Sequence, residues 1–247
     1  MNDSRPPAGR NRKPAARPGK SAPGKRAPAP RPRGRPAGGD DPDLRGRLLD
    51  AALQCFARDG VGGTSLRAIA QAAGATPAML HYYFGDKAQL LAALVAERFQ
   101  PAIDTVRAPL LAADVDDPQV LVRGFVQAMM RIIEANPWLP PLWVREVLSE
   151  GGAFRDLLVD AIGPQVPKLL AARFAAMRDA GRLPAGVDPA LLVASLVGLT
   201  MFTAASAPIW SRLFDARLGT AQIEAHALAL LDAAIAPVAG PAMGTAP

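Results

Sequence analysis

The chain has 247 residues, and its 28 Lys and Arg exceed its 22 Asp and Glu, which gives a net charge of +6. Its one cysteine, Cys55, excludes an internal disulfide framework and a four-thiolate metal site, and its two histidines, His81 and His226, lack the spacing of zinc ligands. We therefore expect no metal and no cofactor. The N-terminus lacks the apolar stretch of a secretory signal peptide, which predicts a cytoplasmic protein.

The positive charge is concentrated in the first 39 residues, which hold 11 Lys and Arg, one acidic residue, nine Pro and six Gly. The remainder, 40–247, carries 17 basic against 21 acidic side chains and is mildly acidic. A segment with so few apolar side chains cannot offset the entropy lost on ordering. We therefore predict a disordered basic tail over 1–40, with a charge suited to a polyanion such as nucleic acid.

The rest of the chain is predicted to be helical, because apolar residues recur at intervals of three and four and no alternating β-branched runs occur. We predict an N-cap at Thr64 and another at Thr76, with Pro77 in the first helical position. Gly60 ends the first helix. The first four predicted helices cover residues 43–59, 65–73, 77–83 and 86–108.

Two short helices joined by a glycine-containing turn, after a longer first helix, match a helix-turn-helix module. Pro77, Ala78, His81 and Tyr82 are expected to lie outside, where the start of the third helix can enter a major groove. The side chains expected to form the core of the module are Leu48, Ala52, Phe56, Leu66, Ile69, Ala70, Leu80 and Phe84.

A specific block of residues over about 44–92 resembles the N-terminal DNA-binding domain of TetR/AcrR-type transcriptional regulators. The resemblance implies an all-helical homodimer, a two-fold operator and a divergent C-terminal domain that binds a small effector. The segments that carry it are Leu48–Ala52, Gly60, Thr64–Ala70, Ala73–Gly74, Leu80–Lys87 and Leu90–Leu91.

By matching positions, the resemblance implies that Thr64, Thr76, Tyr82 and Lys87 contact the DNA backbone or nearby bases. His81 stands where the family usually has Tyr, and it can still donate to a phosphate. The recognition helix is unusually apolar at its start, so contacts to thymine methyl groups and DNA shape should matter more than hydrogen bonds to bases. The complete set of candidate DNA contacts is Thr64, Ser65, Arg67, Thr76, Pro77, Ala78, Met79, His81, Tyr82 and Lys87.

Two of these candidates have a plain alternative. Arg67 is equally compatible with a solvated charge on a helix face, and His81 near a helix C-terminus could simply complement the helix dipole. In the tail, Arg33-Gly34-Arg35 between two prolines resembles an AT-hook core, in which Arg33 and Arg35 lie along an A·T-rich minor groove. Chance is a sufficient explanation in so basic a segment, so general attraction to phosphates is the favoured role, and translation starting after Met1 is a third interpretation.

The C-terminal part is predicted to form further helices. Pro164 and Pro167 are expected to kink the third of these. The predicted ranges are 118–134, 140–149, 153–179, 188–214 and 220–235. The resulting domains are a tail at 1–40, the DNA-binding domain at 41–92, a helical regulatory and dimerisation domain at 93–236, and a frayed end at 237–247.

The segment 189–211 contains no charged residue and is long enough to be considered as a membrane span. A helix that is apolar all round also suits a dimer core, buried by its own subunit on one side and by the partner on the other. Pro208 and the many small residues favour the dimer, and so does the resemblance. We expect a homodimer through 188–214 and 220–235 with no membrane partner, and expect a charge at Leu196 to break it.

An effector pocket is expected between the helices of 118–214. Its polar candidates, Arg145 and Glu146, could bind a polar ligand group or only solvate an exposed face. Each apolar candidate could equally be plain core. The candidate pocket residues are Phe125, Met129, Trp138, Trp143, Arg145, Met177 and Phe202.

Three functions were weighed. A ligand-responsive repressor that binds a palindromic operator is favoured. An enzyme is disfavoured because the sequence has no phosphate-binding loop, no dinucleotide fingerprint and no metal cluster. An architectural DNA-binding protein, which would use the basic tail with little sequence preference, is the alternative.

Overall fold

The computed structural model describes residues 42–112, 117–161 and 164–236, and every regular element in these ranges is helical, which confirms the all-α class. The predicted tail at 1–40, including Arg33 and Arg35, and the predicted frayed end at 237–247 lie outside the described residues. The helices are α1 Pro42–Gly63, α2 Leu66–Ala72, α3 Pro77–Phe84, α4 Lys87–Leu94, α5 Gln100–Ala112, α6 Pro118–Ala135, α7 Leu139–Trp143, α8 Arg155–Ala161, α9 Pro167–Asp179, α10 Pro189–Val197, α11 Thr203–Leu213 and α12 Thr220–Ile235.

Three π-helical turns continue these helices at points that the sequence did not predict. Val95–Phe99 joins α4 to α5, Val144–Leu148 follows α7, and Gly198–Phe202 joins α10 to α11. A π-helical turn widens the backbone ring locally, and such turns are frequent at functional sites. Each of the single helices predicted over 86–108 and 188–214 is therefore two α-helical segments joined by a π-helical turn.

Side-chain caps start the short N-terminal helices. Thr76 caps α3 by accepting from the Met79 N–H, with Pro77 in the first turn, as predicted. The N-cap of α2 is Ser65, which accepts from the Ala68 N–H at 3.1 Å, so the prediction of Thr64 as that cap was wrong. Both neighbouring hydroxyls suit an N-cap, and the burial of Thr64 assigns the role to Ser65.

The segment that was predicted as one kinked helix over 153–179 is two helices, α8 and α9. The Pro164 and Pro167 pair explains the break, since each proline lacks an N–H and its ring clashes with the preceding turn. Pro167 starts α9 in its first turn, where a missing N–H costs little.

The buried side chains of all described helices form one hydrophobic cluster. The predicted core of the helix-turn-helix belongs to it: Leu48, Ala52, Phe56, Ile69, Ala70, Leu80 and Phe84 are buried, and Leu66 is half-buried against them. Leu196 is also fully buried within the subunit, so it packs in the core of its own chain and is the wrong position at which to test a dimer.

Candidate nucleic-acid interface and ligand cavity

Most of the predicted DNA contacts lie exposed along α2 and the first turns of α3. The Tyr82 side chain is 73% exposed, although its ring packs edge-on against Tyr83 at 5.3 Å between centroids. The ring therefore has one packed neighbour while most of the residue's surface stays exposed. The exposed candidates are Ser65, Arg67, Thr76, Pro77, Ala78, His81 and Tyr82, and Met79 is half-buried.

Thr64 is placed differently from the other candidates. It is only 2% exposed, and its hydroxyl donates to the Gly60 carbonyl at 2.7 Å. Gly60 itself has a φ of +79°, a left-handed conformation that side chains other than glycine rarely adopt. Thr64 therefore stabilises the turn between α1 and α2, and its hydroxyl does not face solvent.

Lys87 is half-buried and its ammonium holds the same turn. It donates to the Val61 carbonyl and, at 2.7 Å, to the Thr64 carbonyl. An ammonium has three donors, so one remains for a further acceptor such as a DNA phosphate. Lys87 therefore makes a structural contact, and its contact with the DNA backbone stays a prediction.

His81 lies exposed near the C-terminus of α3. Its Nδ1 is 2.6 Å from the Gly85 carbonyl oxygen, which requires that Nδ1 carry the proton. Nε2 is then the ring nitrogen that faces outward, and it can donate to a phosphate only when the imidazole is protonated. The sequence interpretation that His81 complements the end of its helix and the one that it binds phosphate are therefore compatible.

Arg45, in α1, contacts the C-terminal end of α3. It was not identified from the sequence as a candidate functional residue. It donates to the Tyr83 carbonyl at 3.2 Å and lies 4.6 Å from the centroid of the Phe84 ring. It also pairs with Glu97 at 2.5 Å. The hydrogen bond from Arg45 lowers the pKa of Glu97, although partial burial opposes this shift. These contacts tie α1 and the π-helical turn after α4 to the recognition helix.

A second feature is an apolar cavity of about 120 Å³ lined by side chains of α5, α6, α7, α8, α9 and α10. Four of the predicted pocket residues line it, namely Phe125, Met129, Trp138 and Trp143. The sequence also favoured Met201 as a wall, and the other lining residues were not indicated by it. These are Phe99, Ala102, Ile103, Val106, Ile132, Leu139, Leu158, Val166, Pro167, Leu170, Val193 and Val197.

The remaining three predicted pocket residues do not line the cavity. Met177 is buried elsewhere in the core, Phe202 is 55% exposed, and Arg145 points outward and is exposed. Helical spacing alone cannot distinguish a residue that faces an internal space from one that faces another helix or solvent, which explains these differences.

Glu146, which the sequence left open between ligand binding and solvation, is 6% exposed and so does not solvate an exposed face. Its Oε1 accepts from the Val61 N–H at 2.8 Å and its Oε2 from the Ala153 N–H at 3.1 Å. A buried carboxylate with backbone donors on both oxygens is an ordered structural contact. Its principal partner lies 85 residues away, a distance at which one sequence gives no signal.

A third feature is an exposed apolar face on α10 and α11. Its members, Leu191, Phe202, Ile209 and Leu213, recur at intervals that place them close to one side of the helix. The exposed Leu230 lies on α12. Within the described ranges, Pro189–Leu213 is also the one helix long and apolar enough to cross a membrane by length and composition. Its opposite side is buried in the subunit core through Leu192, Val193, Leu196 and Met201.

Comparison with known proteins places these features in a family. The model for "Bacterial regulatory proteins, tetR family" matches residues 48–94, which run from α1 to the end of α4. The transcriptional regulator RutR of Escherichia coli (strain K12) is 30% identical over 165 residues, which cover 65% of this chain and 74% of RutR. The transcriptional regulator BetI of Rhizobium meliloti (strain 1021) is 31% identical over 109 residues, 44% of this chain, and the match spans about half of BetI (53%).

A solved structure shares the fold over most of both chains. The crystal structure of AibR, in complex with isovaleryl coenzyme A and operator DNA, superposes with a TM-score of 0.61 at 22% sequence identity. The superposition covers 79% of this chain and 99% of AibR. At this identity the likeness concerns the fold.

Proposed function

The chain belongs to the TetR family of bacterial regulatory proteins, and we propose that it is a homodimeric repressor that binds a palindromic operator and is released by a small apolar effector. In this proposal, residues 41–92 bind DNA, and residues 93–236 bind the effector and form the dimer. The observation that carries it is the exposed face of α3, where Pro77, Ala78 and Tyr82 are exposed on a helix anchored by buried Leu80 and Phe84.

The proposed division of work on DNA follows the chemistry of each side chain. Lys87, with its remaining ammonium donor, and Arg67 bind phosphates, and Tyr82 reaches the edge of the groove. Thr76 and Ser65 lie at helix N-termini, where backbone N–H groups also favour phosphate. The apolar Pro77, Ala78 and Met79 contact thymine methyl groups, so sequence preference depends on these contacts and on DNA shape.

The proposed dimer uses the apolar face of α10 and α11 together with α12. Its exposed side chains are large, and the segment that presents them has no charge over 189–211. Two copies related by a two-fold axis would bury the same face against itself, which is the geometry that matches a palindromic site. A helix that is buried in its own core on one side and by its partner on the other needs no membrane, and we expect the protein in the cytoplasm.

The proposed effector is apolar in the part that enters the cavity. Seventeen side chains line the cavity, and none of them carries a charge. Its volume of about 120 Å³ is close to that of engineered apolar cavities, about 150 Å³, that bind benzene. A short branched acyl group is of this size class, and AibR was crystallised with isovaleryl coenzyme A. We therefore propose a short-chain acyl thioester or a similarly small apolar molecule, with no enzymatic turnover.

The test of this function is a footprint on the DNA upstream of the protein's own gene and of its neighbours. We expect protection of one palindrome, with two half-sites on the same face of the duplex. Addition of isovaleryl coenzyme A as a first probe, followed by a series of acyl lengths, should release the protein if the acyl proposal is correct. Uniform protection along the fragment, lost as salt rises, would contradict a specific operator and favour the architectural alternative.

Deletion of residues 1–40 separates the tail from the operator-binding surface. Residues 1–40 carry a net charge of +9 and the rest of the chain −3, so we expect the truncated protein to keep its operator preference and lose affinity mainly at low salt. If Arg33 and Arg35 enter a minor groove, the loss should be larger on operators flanked by A·T tracts than by G·C pairs. An equal loss of affinity on both kinds of operator would show that the tail contributes general attraction to phosphates and no minor-groove contact.

A further inference from the structure

Val61, in the last turn of α1, is held by a charged side chain at each of its two backbone polar groups. Its N–H donates to the carboxylate of Glu146, and its carbonyl accepts from the ammonium of Lys87. The same ammonium binds the Thr64 carbonyl, and Thr64 immediately precedes Ser65, the N-cap of α2. The position of this turn therefore determines where α2 begins.

The geometry around Glu146 leaves its carboxylate little freedom. Its second oxygen accepts from the Ala153 N–H, and its own carbonyl accepts from the Phe154 N–H at 3.1 Å. A Cβ atom at Gly152 would lie 2.3 Å from that carbonyl oxygen, and one at Gly60 would lie 3.1 Å from Oε1. Because both neighbours are glycines, the backbone closes around Glu146 on two sides.

The segment that carries Glu146 also forms a wall of the cavity. Trp143, three residues before it, lines the cavity, and Glu146 lies in the π-helical turn that follows. Phe154, on the other side of the contact, is fully buried, with its ring centroid 5.3 Å from that of Phe99, another cavity wall, and 6.3 Å from that of Phe56 in α1. The side chains that would meet a ligand and those that fix the end of α1 are thus parts of one packed unit.

We propose that Glu146 is the positioning residue that transmits a change in the shape of the cavity to the DNA-binding helices, through its hydrogen bond to Val61. A displacement of Trp143 moves the π-helical turn, and the Glu146 carboxylate moves with it. The Val61 peptide and the Lys87 ammonium then shift together, and the start of α2 follows. This regulatory role rests on the proposed function only in requiring that a ligand occupy the cavity.

The hydrogen bond between Glu146 and Val61 can couple the cavity to the DNA-binding helices as well as stabilise the fold. A hydrogen bond to a buried carboxylate is directional, so a small displacement at one end changes its length and angle. The donor of this hydrogen bond is the Val61 N–H, and the carbonyl of the same residue accepts from the Lys87 ammonium. Two packed arrangements that differ in this contact would be discrete states, which is the condition for coupling between sites.

The experiment uses the full chain with Ala102→Phe as a permanent occupant, because Ala102 lines the cavity and a phenyl ring attached there would fill it. Ala102→Leu is the milder second variant, used if circular dichroism shows that the first is not helical. The readout is amide hydrogen exchange over residues 61–72. It is measured with and without the occupant, in the chain that keeps Glu146 and in the chain that carries Glu146→Gln. Gln keeps the shape and one acceptor oxygen but replaces the other with an amide that cannot accept.

We expect the occupant to change the exchange rate of 61–72 by tenfold or more with Glu146 present and by less than twofold with Glu146→Gln. Glu150→Gln, an exposed position four residues further on, removes the same charge and should retain the tenfold response. A purely structural Glu146 would alter basal exchange but leave the ratio between occupied and unoccupied proteins unchanged. An equal response in both backgrounds, or no response in either, overturns the proposal.

Failure of this proposal is distinguishable from failure of the proposed function. The same variants are assayed for binding to the operator fragment that the footprint identifies. If Ala102→Phe weakens operator binding in both backgrounds, the cavity controls DNA binding and only the role of Glu146 is lost. If the wild-type chain protects no operator at all, the repressor function itself fails, while the exchange measurement still decides the coupling through Glu146.

Discussion

The helices around the DNA-binding module and those around the cavity are held together by different kinds of contact. In the first region, charged side chains reach across long stretches of chain: Arg45 to Glu97, Arg98 to Asp50, and Lys87 to the turn after Val61. In the second, two polar pairs join distant segments, Gln100 with Gln165 and Arg123 with Asp232. The hydroxyls of Thr200 and Ser206 bond back to their own helix. Apolar side chains form the interior there, and the space that remains is apolar as well.

The difference follows from what each region has to position. Hydrogen bonds and ion pairs have preferred distances and angles, so they can fix a recognition helix whose side chains must meet an external surface. Apolar burial is roughly proportional to area and has no direction, so it tolerates a cavity of variable shape. Substitutions should therefore act differently in the two regions, and four predictions test this, beginning with the largest expected effect.

A charge placed on either side of the α10–α11 helix should have two distinct consequences. Leu196→Asp buries an unpaired carboxylate in the core of the subunit, which costs several kcal/mol, and we expect loss of helical structure. Ile209→Asp lies on the exposed apolar face, 60% exposed in the subunit, and should give a helical monomer. Sedimentation and circular dichroism distinguish the outcomes. A dimeric Ile209→Asp variant would place the dimer interface elsewhere.

This pair of positions also illustrates how far the sequence alone could lead. Periodicity and the missing charges correctly predicted an apolar helix with one side in the subunit's own core, but not which side that is. Burial of the other side by a partner subunit stays a prediction. Leu196 and Ile209 are both large apolar residues in the same uncharged segment, so the sequence does not distinguish them. Only the packing of the other helices shows that Leu196 faces the core and Ile209 does not. The start of α3 was predictable because Thr76 and Pro77 act locally, within one turn of the residues they cap.

Other features lay beyond sequence reasoning for the same physical reason. A π-helical turn such as Val144–Leu148 has no local signal here, and the partner of Glu146 is 85 residues away. Thr64 and Ser65 are adjacent hydroxyls with equal capping ability, and only the burial of the first decides between them. Local rules thus predicted the start of α3 but misplaced the cap of α2, and contacts between distant helices required the fold.

Lys87→Ala should weaken the DNA-binding region in two measurable ways. Loss of two charge-assisted hydrogen bonds to backbone carbonyls should lower the free energy of unfolding by about 2 kcal/mol. DNA binding should weaken on every sequence about equally, with the salt dependence reduced by about one unit of slope. Lys168→Ala, at an exposed position of α9, is the control and should change neither quantity. An altered base-pair preference would contradict a backbone contact.

Ser65→Ala should remove the N-cap of α2 and lower the free energy of unfolding by about 1 kcal/mol. Ser65→Asp is the matched control, since an aspartate side chain can accept the same Ala68 N–H and so should keep most of the stability. It places a negative charge at the proposed phosphate site, however, and should therefore weaken DNA binding more than Ser65→Ala does. Chemical denaturation and a salt titration of binding measure the two effects. Equal DNA affinities for the two variants would remove Ser65 from the proposed interface.

The smallest expected effect concerns the pH dependence of the Arg45–Glu97 pair. Its hydrogen bond lowers the pKa of Glu97 in the folded chain, so the pair contributes stability above the ordinary glutamate pKa of about 4.3 and loses it as the pH falls through the folded-state value. Because both side chains are more than a third exposed, solvent screening limits the contribution to about 0.5 kcal/mol.

We therefore expect the wild-type chain to lose slightly more stability than Glu97→Gln between about pH 5 and pH 3, since the amide cannot titrate in that range. Denaturation midpoints at several pH values measure this difference, and high salt should shrink it because it screens a partly exposed pair. Glu150→Gln serves as the control at an exposed position outside the pair. If Glu97→Gln loses as much stability as the wild type over this range, the ion pair does not bind the recognition helix in solution, and α3 depends on the apolar contacts of Leu80 and Phe84 in the same way as the helices around the cavity.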